Sequence, residues 1–169
     1  MYRSFAKNEE GRDFVVGDVH GCFTMLSQLM KEAGFNGDAG DRLFSVGDLV
    51  DRGPECPQVL AWLMQPWFFP VKGNHEDMLI RVHRGTGDDL NYFLNGGSWF
   101  LELEDALQTS IANELVALPL CIDVETDAGK IGIVHAEVYE NDWDLFVEGL
   151  VGATSNNKRY GFKEAALWE

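Results

Sequence analysis

The sequence is poor in basic residues. It has 13 lysines and arginines against 28 aspartates and glutamates, and a formal net charge of −15. Phosphate contacts along a nucleic acid require clustered Lys and Arg, and anionic membranes repel an acidic surface. We therefore expect neither a nucleic-acid partner nor a membrane partner. Any phosphate group that binds has to be attracted by local positive charge, which bound divalent cations could supply.

Cysteine and long apolar runs are also scarce. The three cysteines, Cys22, Cys56 and Cys121, are widely spaced and form no CxxC pair, which predicts reduced thiols in a cytoplasmic protein. No apolar run approaches the roughly 20 residues that cross a bilayer. The most apolar stretch, Val59 to Val71, is interrupted by two prolines.

The length and composition predict one compact domain, since 169 residues with 46% hydrophobic content supply one buried core. Three strand–loop–helix units follow one another in the first half of the chain. Their predicted strands are Asp13 to Val16, Arg42 to Val46 and Trp67 to Val71, and their predicted helices are Phe23 to Ala33, Pro57 to Met64 and His75 to His83. This alternation predicts an α/β core with parallel strands, whose three following loops meet at one edge.

The second half of the chain is less regular. Thr86 to Leu118 has a helical composition with a break at a glycine pair. Two apolar runs, Leu120 to Val124 and Lys130 to Val134, predict a hairpin that places His135 at a strand end. Beyond residue 141 the pattern is weakly periodic, and Gly152 to Tyr160 is predicted to be a loop.

The first two loops carry side chains that can bind metal. In the loop GDVHG, Asp18 and His20 are two residues apart at a strand end, so both side chains can converge on one cation. The loop GDLVDRGP carries Asp48, Asp51 and Arg52. By itself, the first loop is equally typical of an ordinary turn with a helix cap, and the second is more typical of a solvated turn with a surface ion pair.

A third loop resolves that ambiguity. GNHE, which contains Asn74, His75 and Glu76, follows the third strand in the same way. Three successive loops therefore present oxygen or imidazole ligands at one edge of the predicted sheet. This coincidence favours a metal-dependent active site over three unrelated turns.

The motifs GDVHG, GDLVDRG, GNHE and the later VHAE at Val134 to Glu137 occur in this order within residues 12–137. Together they resemble the calcineurin-like metallophosphoesterase superfamily, and most of all its bacterial and bacteriophage protein serine/threonine phosphatases. The resemblance implies a β-sandwich flanked by helices, with the metal site on loops at the carboxyl ends of strands. It also implies hydrolysis of phosphomonoesters, in a phosphorylated protein or a small phosphoester, by a hydroxide that bridges two metal ions.

By the same resemblance, Asp18 and His20 bind one metal ion, Asn74 and His135 bind the other, and Asp48 bridges the two. Carboxylate, imidazole and amide ligands suit Mn²⁺, our first expectation, and also Fe or Zn²⁺.

The remaining loop residues receive roles from the resemblance and from their chemistry. Arg52 and the Asn74 amide are expected to hold phosphate oxygens, because both donate hydrogen bonds and a guanidinium binds such oxygens in pairs. We expect His75 to protonate the leaving group while Asp51 holds its other ring nitrogen. Glu76 is either a support for the site or an ordinary acid in the first turn of a helix.

Two expected features are missing. Superfamily members carry a later Gly-His pair that completes the second metal site, and often an arginine after a tryptophan. The chain has only His20, His75, His83 and His135, and it ends at Trp168 and Glu169. Either a further segment belongs to the native protein, which we favour, or the second metal site is weakened. A diadenosine tetraphosphate hydrolase and a catalytically weakened metal-binding fragment remain as alternative functions.

Overall fold

The computed structural model describes residues 1–152 and 156–168. Its strands are β1 (Tyr2–Phe5), β2 (Asp13–Val16), β3 (Arg42–Ser45), β4 (Phe68–Pro70), β5 (Cys121–Thr126) and β6 (Gly129–Val134). Its α-helices are α1 (Phe23–Glu32), α2 (Val59–Leu63), α3 (Asn74–His83), α4 (Asp89–Tyr92), α5 (Ser98–Leu101), α6 (Asp105–Ala117), α7 (Trp143–Gly152) and α8 (Asn156–Leu167). Short 3₁₀ turns lie at Gly37–Ala39, Cys56–Gln58 and Tyr139–Asn141, and a π-helical turn, Phe93–Gly97, joins α4 to α5.

The strands form two three-stranded sheets. In the first, β2, β3 and β4 are all parallel, as the strand–helix alternation predicts. In the second, β5 lies between β1 and β6, parallel to β1 and antiparallel to β6. Phe44 of β3 and Phe5 of β1 meet between the sheets with ring centroids 5.1 Å apart. The two sheets therefore pack face to face, and the expected β-sandwich is confirmed.

Helices cover both outer faces of the sandwich. Because neighbouring residues of a strand point to opposite faces, Leu43 of β3 faces away from the second sheet while Phe44 faces it. Leu43 belongs to a core that includes Phe23 and Leu26 of α1. On the other side, Phe146 of α7 packs in a separate cluster with residues of α8 and β5. The architecture is thus helix, sheet, sheet, helix.

Three elements were not predicted. Strand β1 is short and mostly polar, and it is recognisable only through its parallel pairing with β5. Helix α7 buries Phe146 and Leu150, four residues apart, which is a helical spacing that the sequence does contain. Helix α7 includes Gly152 and helix α8 begins at Asn156, so the loop predicted over Gly152 to Tyr160 is wrong at Gly152 and from residue 156 onward. Residues 153–155 of that prediction lie outside the described residues.

The loops after β2, β3 and β4 meet at one edge of the first sheet, as predicted. The backbone N–H of His20 donates a 2.8 Å hydrogen bond to the carbonyl of Asp48, and Gly21 N–H donates to Leu49 at 2.8 Å. His135 follows β6 and its ring reaches the carbonyl of Val46 at the end of β3. Within the part of the chain that the structure describes, every helix is too short or too polar to cross a membrane.

Phe44 offers a test of the packing between the sheets, since its side chain is fully buried there. For Phe44→Ala we expect the free energy of unfolding to fall by about 3–5 kcal/mol, because the truncation leaves a cavity. Val15→Ala on β2 is the matched control, since Val15 is 58% exposed, and it should cost less than about 1 kcal/mol. Urea denaturation measures both, and equal losses would contradict this packing.

Candidate metal centre

The carboxylate of Asp48 lies at the centre of the loops. Its Oδ2 is 3.6 Å from Nε2 of His20, and its Oδ1 is 3.6 Å from Nε2 of His135. The backbone N–H of His75 donates to Oδ1 at 3.1 Å and holds the carboxylate in this orientation. Asp48 is almost completely buried. It therefore lies between two imidazoles from different strands, which is the position that a ligand shared by two ions requires.

Hydrogen bonds determine which nitrogen of each imidazole faces Asp48. Nδ1 of His20 is 2.9 Å from the carbonyl of Val50, and Nδ1 of His135 is 2.9 Å from the carbonyl of Val46. A carbonyl only accepts, so Nδ1 carries the proton in both rings. In a neutral ring, Nε2 then keeps its lone pair and points at the centre, the arrangement typical of histidines that bind metal.

The donor atoms form two overlapping groups. In each group, one ligand atom from every residue lies within 4.8 Å of the others. The first group is Asp18, Asp48 and His135, and the second is His20, Asp48 and His75. These groups fit divalent cations, because carboxylate oxygens and imidazole nitrogens are common ligands of such ions. They share Asp48, as expected for a bridging residue.

The amide of Asn74 supports the same fit. Its Oδ1 is buried and accepts no hydrogen bond from the residues that the structure describes. Buried polar atoms are nearly always satisfied, so an unpartnered oxygen on the residue between Gly73 and His75, both of which contact Asp48, is suited to a cation. The grouping by distance joins Asp18 to His135 and not to His20. The division of ligands between two ions, with Asp18 and His20 on one and Asn74 and His135 on the other, stays a prediction.

His75 and Asp51 form a buried pair beside this cluster. Nδ1 of His75 donates to Oδ2 of Asp51 at 2.7 Å, and both side chains are almost inaccessible to solvent. The opposite ring nitrogen, Nε2, faces the centre and lies 3.9 Å from Oδ2 of Asp48. The guanidinium of Arg52 spans the opening, with its two terminal nitrogens 2.8 Å from Nε2 of His20 and 2.9 Å from Nε2 of His75. One arginine, one histidine and the metal-binding groups thus share a single face.

The backbone at the site is strained. Of the five non-glycine residues with positive φ in the described chain, four are His20, Asp48, Asp51 and Arg52, with φ between 44° and 68°. Side chains with a Cβ rarely adopt this left-handed region, and it persists where surrounding contacts enforce it. Gly73 illustrates how close these contacts are, since a Cβ at that position would lie 2.2 Å from Oδ1 of Asp48.

Glu76 supplies the contacts that hold the loop of Asp48 in this geometry. Its fully buried carboxylate accepts hydrogen bonds from four backbone N–H groups, those of Asp48, Leu49, Val50 and Gly73, at 2.7–3.3 Å. Burial and the neighbouring Asp48 raise the pKa of Glu76 to about 7, while the N–H donors favour the charged form. The sequence left open whether Glu76 supports the site or is an ordinary acid in the first turn of a helix. The structure favours a support for the site.

The structure adds residues that sequence reasoning missed. Tyr92 and Trp99 donate hydrogen bonds to Asp51, and neither stands in a recognisable motif. The backbone N–H groups of Ala136 and Glu137, directly after His135, donate to carbonyls at the end of α8. No local sequence signal identifies these contacts, because each joins segments that are far apart in the chain.

Two residues near the motifs have partners away from the site. The ammonium group of Lys72 donates to the carbonyl of Val116 at the end of α6, and burial lowers the pKa of Lys72 to about 8. His83 lies edge-on to the ring of Phe100, with the ring centroids 6.2 Å apart.

Comparison with known proteins identifies the family. Residues 14–167 match the model of the calcineurin-like phosphoesterase family. The chain belongs to this family. Membership of the calcineurin-like phosphoesterases implies divalent metal ions, and the donor groups around Asp48 fit that requirement. The resemblance that the four motifs indicate is thereby confirmed.

Similar proteins include two kinds of phosphoesterase. The chain is 41% identical over 127 residues to serine/threonine-protein phosphatase 2 of Escherichia coli strain K12, which covers 73% of this chain and 57% of that protein. It is 39% identical over 75 residues to a symmetrical bis(5′-nucleosyl)-tetraphosphatase of Thioalkalivibrio sulfidiphilus, which covers 43% of this chain and 27% of that protein. The chain thus spans less than two thirds of either relative.

A solved structure shares the fold. The crystal structure of a putative diadenosine tetraphosphatase superposes with a TM-score of 0.63 at 26% identity, over 83% of this chain and 56% of that one. The α/β sandwich flanked by helices is therefore an arrangement that this chain shares with that solved structure.

Glu76→Gln tests whether one carboxylate holds the loops together. The glutamine keeps the size but presents an NH₂ group where two backbone N–H donors need an acceptor. Each unsatisfied donor costs about 1–3 kcal/mol, so we expect the metal-free protein to lose roughly 2–5 kcal/mol of unfolding free energy. Glu114→Gln on the exposed face of α6 is the control and should cost less than about 0.5 kcal/mol. Equal effects in urea denaturation would refute the role of Glu76.

Proposed function

We propose that the protein is a metal-dependent phosphomonoester hydrolase, most closely a protein serine/threonine phosphatase that also accepts small phosphoesters. The observation that carries the proposal is the arrangement on one face of the site. There, Nε2 of His75 and the guanidinium of Arg52 lie beside the ligand groups around Asp48. This combination provides a proton donor, an anion clamp and a cation site within one opening.

The metal ligands that we propose are Asp18, His20, Asp48, Asn74 and His135, for two divalent ions. Mn²⁺ is our first choice, with Fe or Zn²⁺ as alternatives, since the set contains oxygen and imidazole donors and no thiolate. Such ions, when bound, polarise phosphoryl oxygens and lower the pKa of water. The bound cations would also offset the strongly negative charge of the chain at the point where a phosphate approaches.

The protein's own groups then handle the phosphate and the leaving group. Arg52 binds two phosphoryl oxygens through its planar pair of N–H donors, and the Asn74 amide N–H adds another hydrogen bond. These contacts orient the phosphate and balance the charge that develops on its oxygens. Without substrate, Nε2 of His75 accepts a hydrogen bond from the guanidinium of Arg52, which can only donate. When Arg52 binds the phosphate instead, Nε2 becomes free to carry a proton and to deliver it to the departing oxygen. Asp51 accepts a hydrogen bond from Nδ1 and keeps the ring in place.

The substrate class rests on two kinds of support. The E. coli protein phosphatase matches 127 residues of this chain, whereas the dinucleoside tetraphosphatase matches 75. An acid equivalent to Asp51 is also a feature that the resemblance associates with the protein phosphatases. Diadenosine tetraphosphate hydrolysis is the second candidate, because the solved structure that matches most of this chain carries that title.

We also propose one domain over residues 1–169 and a cytoplasmic location. Both helical layers pack on the same sandwich, which supports a single domain. All three cysteines are free, and burial raises the pKa of Cys56 to about 11 and that of Cys121 to about 12. Such thiols stay protonated and reduced in the cytoplasm.

Metal binding provides one test. We expect the chelator-treated protein to bind two Mn²⁺ ions in calorimetric titration and to unfold at a higher temperature when loaded, since only the folded state holds the ligands together. His135→Ala should lower the affinity for one ion by about tenfold or more, because even the loss of a group that only supports a metal ligand costs about that much affinity. His83→Ala, away from the site, is the control and should bind as the native chain does. One tight ion in the native chain would instead support the weakened second site.

Substrate preference provides another test. With Mn²⁺, we expect hydrolysis of p-nitrophenyl phosphate and of a phosphoserine peptide, and a lower kcat/KM for diadenosine tetraphosphate. Asp48→Asn should abolish the metal-stimulated rate, and His75→Asn should lower kcat on the phosphopeptide by about a hundredfold or more, because it removes the proton donor. Preferential cleavage of the dinucleotide would replace the phosphatase assignment by the second candidate. A native rate no higher than that of Asp48→Asn would overturn catalysis by this chain.

A further inference from the structure

The two oxygens of the Asp51 carboxylate accept hydrogen bonds from different donors. Oδ2 accepts from Nδ1 of His75 at 2.7 Å. Oδ1 accepts from the hydroxyl of Tyr92 at 2.9 Å and from the indole N–H of Trp99 at 2.7 Å. Asp51 and Tyr92 are completely buried. In an environment of low polarity these hydrogen bonds are strong, and removing one leaves a charged oxygen less well compensated.

Tyr92 and Trp99 come from one segment, α4 to α5, which is remote in sequence from the motifs. The two residues are seven positions apart and lie on either side of the π-helical turn. At Gly97 a Cβ would come within 2.3 Å of the Tyr92 ring. At Gly96, where φ is +97°, a Cβ would lie 2.7 Å from the backbone nitrogen of Arg52. The segment is therefore closely fitted against both Tyr92 and the Arg52 loop.

We propose that Tyr92 and Trp99 are positioning residues that orient Asp51 and, through Asp51, the proton-donating ring of His75. This inference rests on the proposed function, in which His75 protonates the leaving group. Two donors on Oδ1 prevent the carboxylate from rotating, so Oδ2 stays directed at Nδ1. The His75 ring then presents Nε2 to the opening in one orientation, which proton transfer in the transition state requires.

The electrostatics agree with this arrangement. Burial and the adjacent Asp51 carboxylate raise the pKa of Tyr92 far above its ordinary value, so its hydroxyl remains a donor. The indole N–H of Trp99 is a donor only. Neither group gives up its proton readily, so neither competes with His75 for the role of acid. Both can only hold Asp51.

The chain contains a matched control for the same chemistry. Asp123 on β5 accepts from the hydroxyl of Tyr2 at 2.7 Å and from the indole N–H of Trp143 at 2.6 Å. Its remaining described partner is Lys130, and none of these residues belongs to the metal centre. Tyr2→Phe thus removes a partly buried Tyr–Asp hydrogen bond, whereas Tyr92→Phe removes a fully buried one, and the Tyr2 bond has no link to His75.

Leaving-group dependence separates a positioning role from a purely structural one. In the Mn²⁺-loaded full chain we expect Tyr92→Phe and Trp99→Phe to lower kcat for phenyl phosphate by about tenfold. For p-nitrophenyl phosphate the loss should be about twofold or less, because its leaving group needs little protonation. KM should stay within about twofold for both substrates. Tyr2→Phe should alter the two kcat values by the same small factor.

The outcomes distinguish this inference from the function on which it rests. Suppose that His75→Asn lowers kcat more for phenyl phosphate than for p-nitrophenyl phosphate. An equal loss of kcat on both substrates in Tyr92→Phe, or no loss, would then overturn the positioning role. If His75→Asn itself lowers kcat equally for both substrates, the assignment of His75 as proton donor fails, and the inference fails with it.

A second measurement does not depend on turnover. In ¹⁵N-histidine spectra of the chelator-treated chain, we expect His75 to be protonated at Nδ1. Exchange of that proton with solvent should be on the order of fivefold faster in Tyr92→Phe, because the acceptor is less fixed. Tyr2→Phe should leave the exchange rate unchanged. An unchanged rate in Tyr92→Phe would overturn the inference whether or not the chain is active.

Discussion

The site depends on one buried carboxylate that accepts hydrogen bonds from four backbone N–H groups. Glu76 receives the N–H groups of three consecutive residues after β3 and that of Gly73 after β4. These hydrogen bonds draw the second loop over the start of α3 and hold Asp48 in a left-handed conformation that it would otherwise avoid. Without an acceptor at this point, four buried donors would be unsatisfied, and the loops would have no common anchor.

Around this anchor, most functional side chains are held by an atom on the side away from the site. His20 and His135 are held through Nδ1 by backbone carbonyls, and His75 through Nδ1 by Asp51. Asp51 is in turn held by two aromatic donors from the α4 to α5 segment. The atoms that face the opening are thus oriented before any ligand arrives, which reduces the free-energy cost of binding and catalysis.

The motifs were predictable because their signal is local. Strand, loop and helix follow one another within about 20 residues, and parallel strands bring their carboxyl ends to one edge. From order and spacing, Asp18, His20, Asp48, Asn74 and His75 could be predicted to meet at one edge, and the hairpin could be predicted to place His135 at a strand end. That His135 joins the same site followed from the resemblance to the family. Strand β1, helix α8 and the donors on Asp51 could not be predicted, because their evidence consists of contacts between residues tens of positions apart. Helix α7 lies between these cases, since its Phe146 and Leu150 spacing is local but short.

By itself, the sequence determined the α/β alternation, the edge on which the loops meet and the chemical character of the ligands. Those follow from residue types and from the periods of strands and helices. Only the tertiary structure decided which ring nitrogen faces the centre, that Asp18 forms a group with Asp48 and His135, and that Glu76 supports the loops. Those outcomes depend on contacts between residues from different strands and loops. The partners come together only when both sheets and their helices pack.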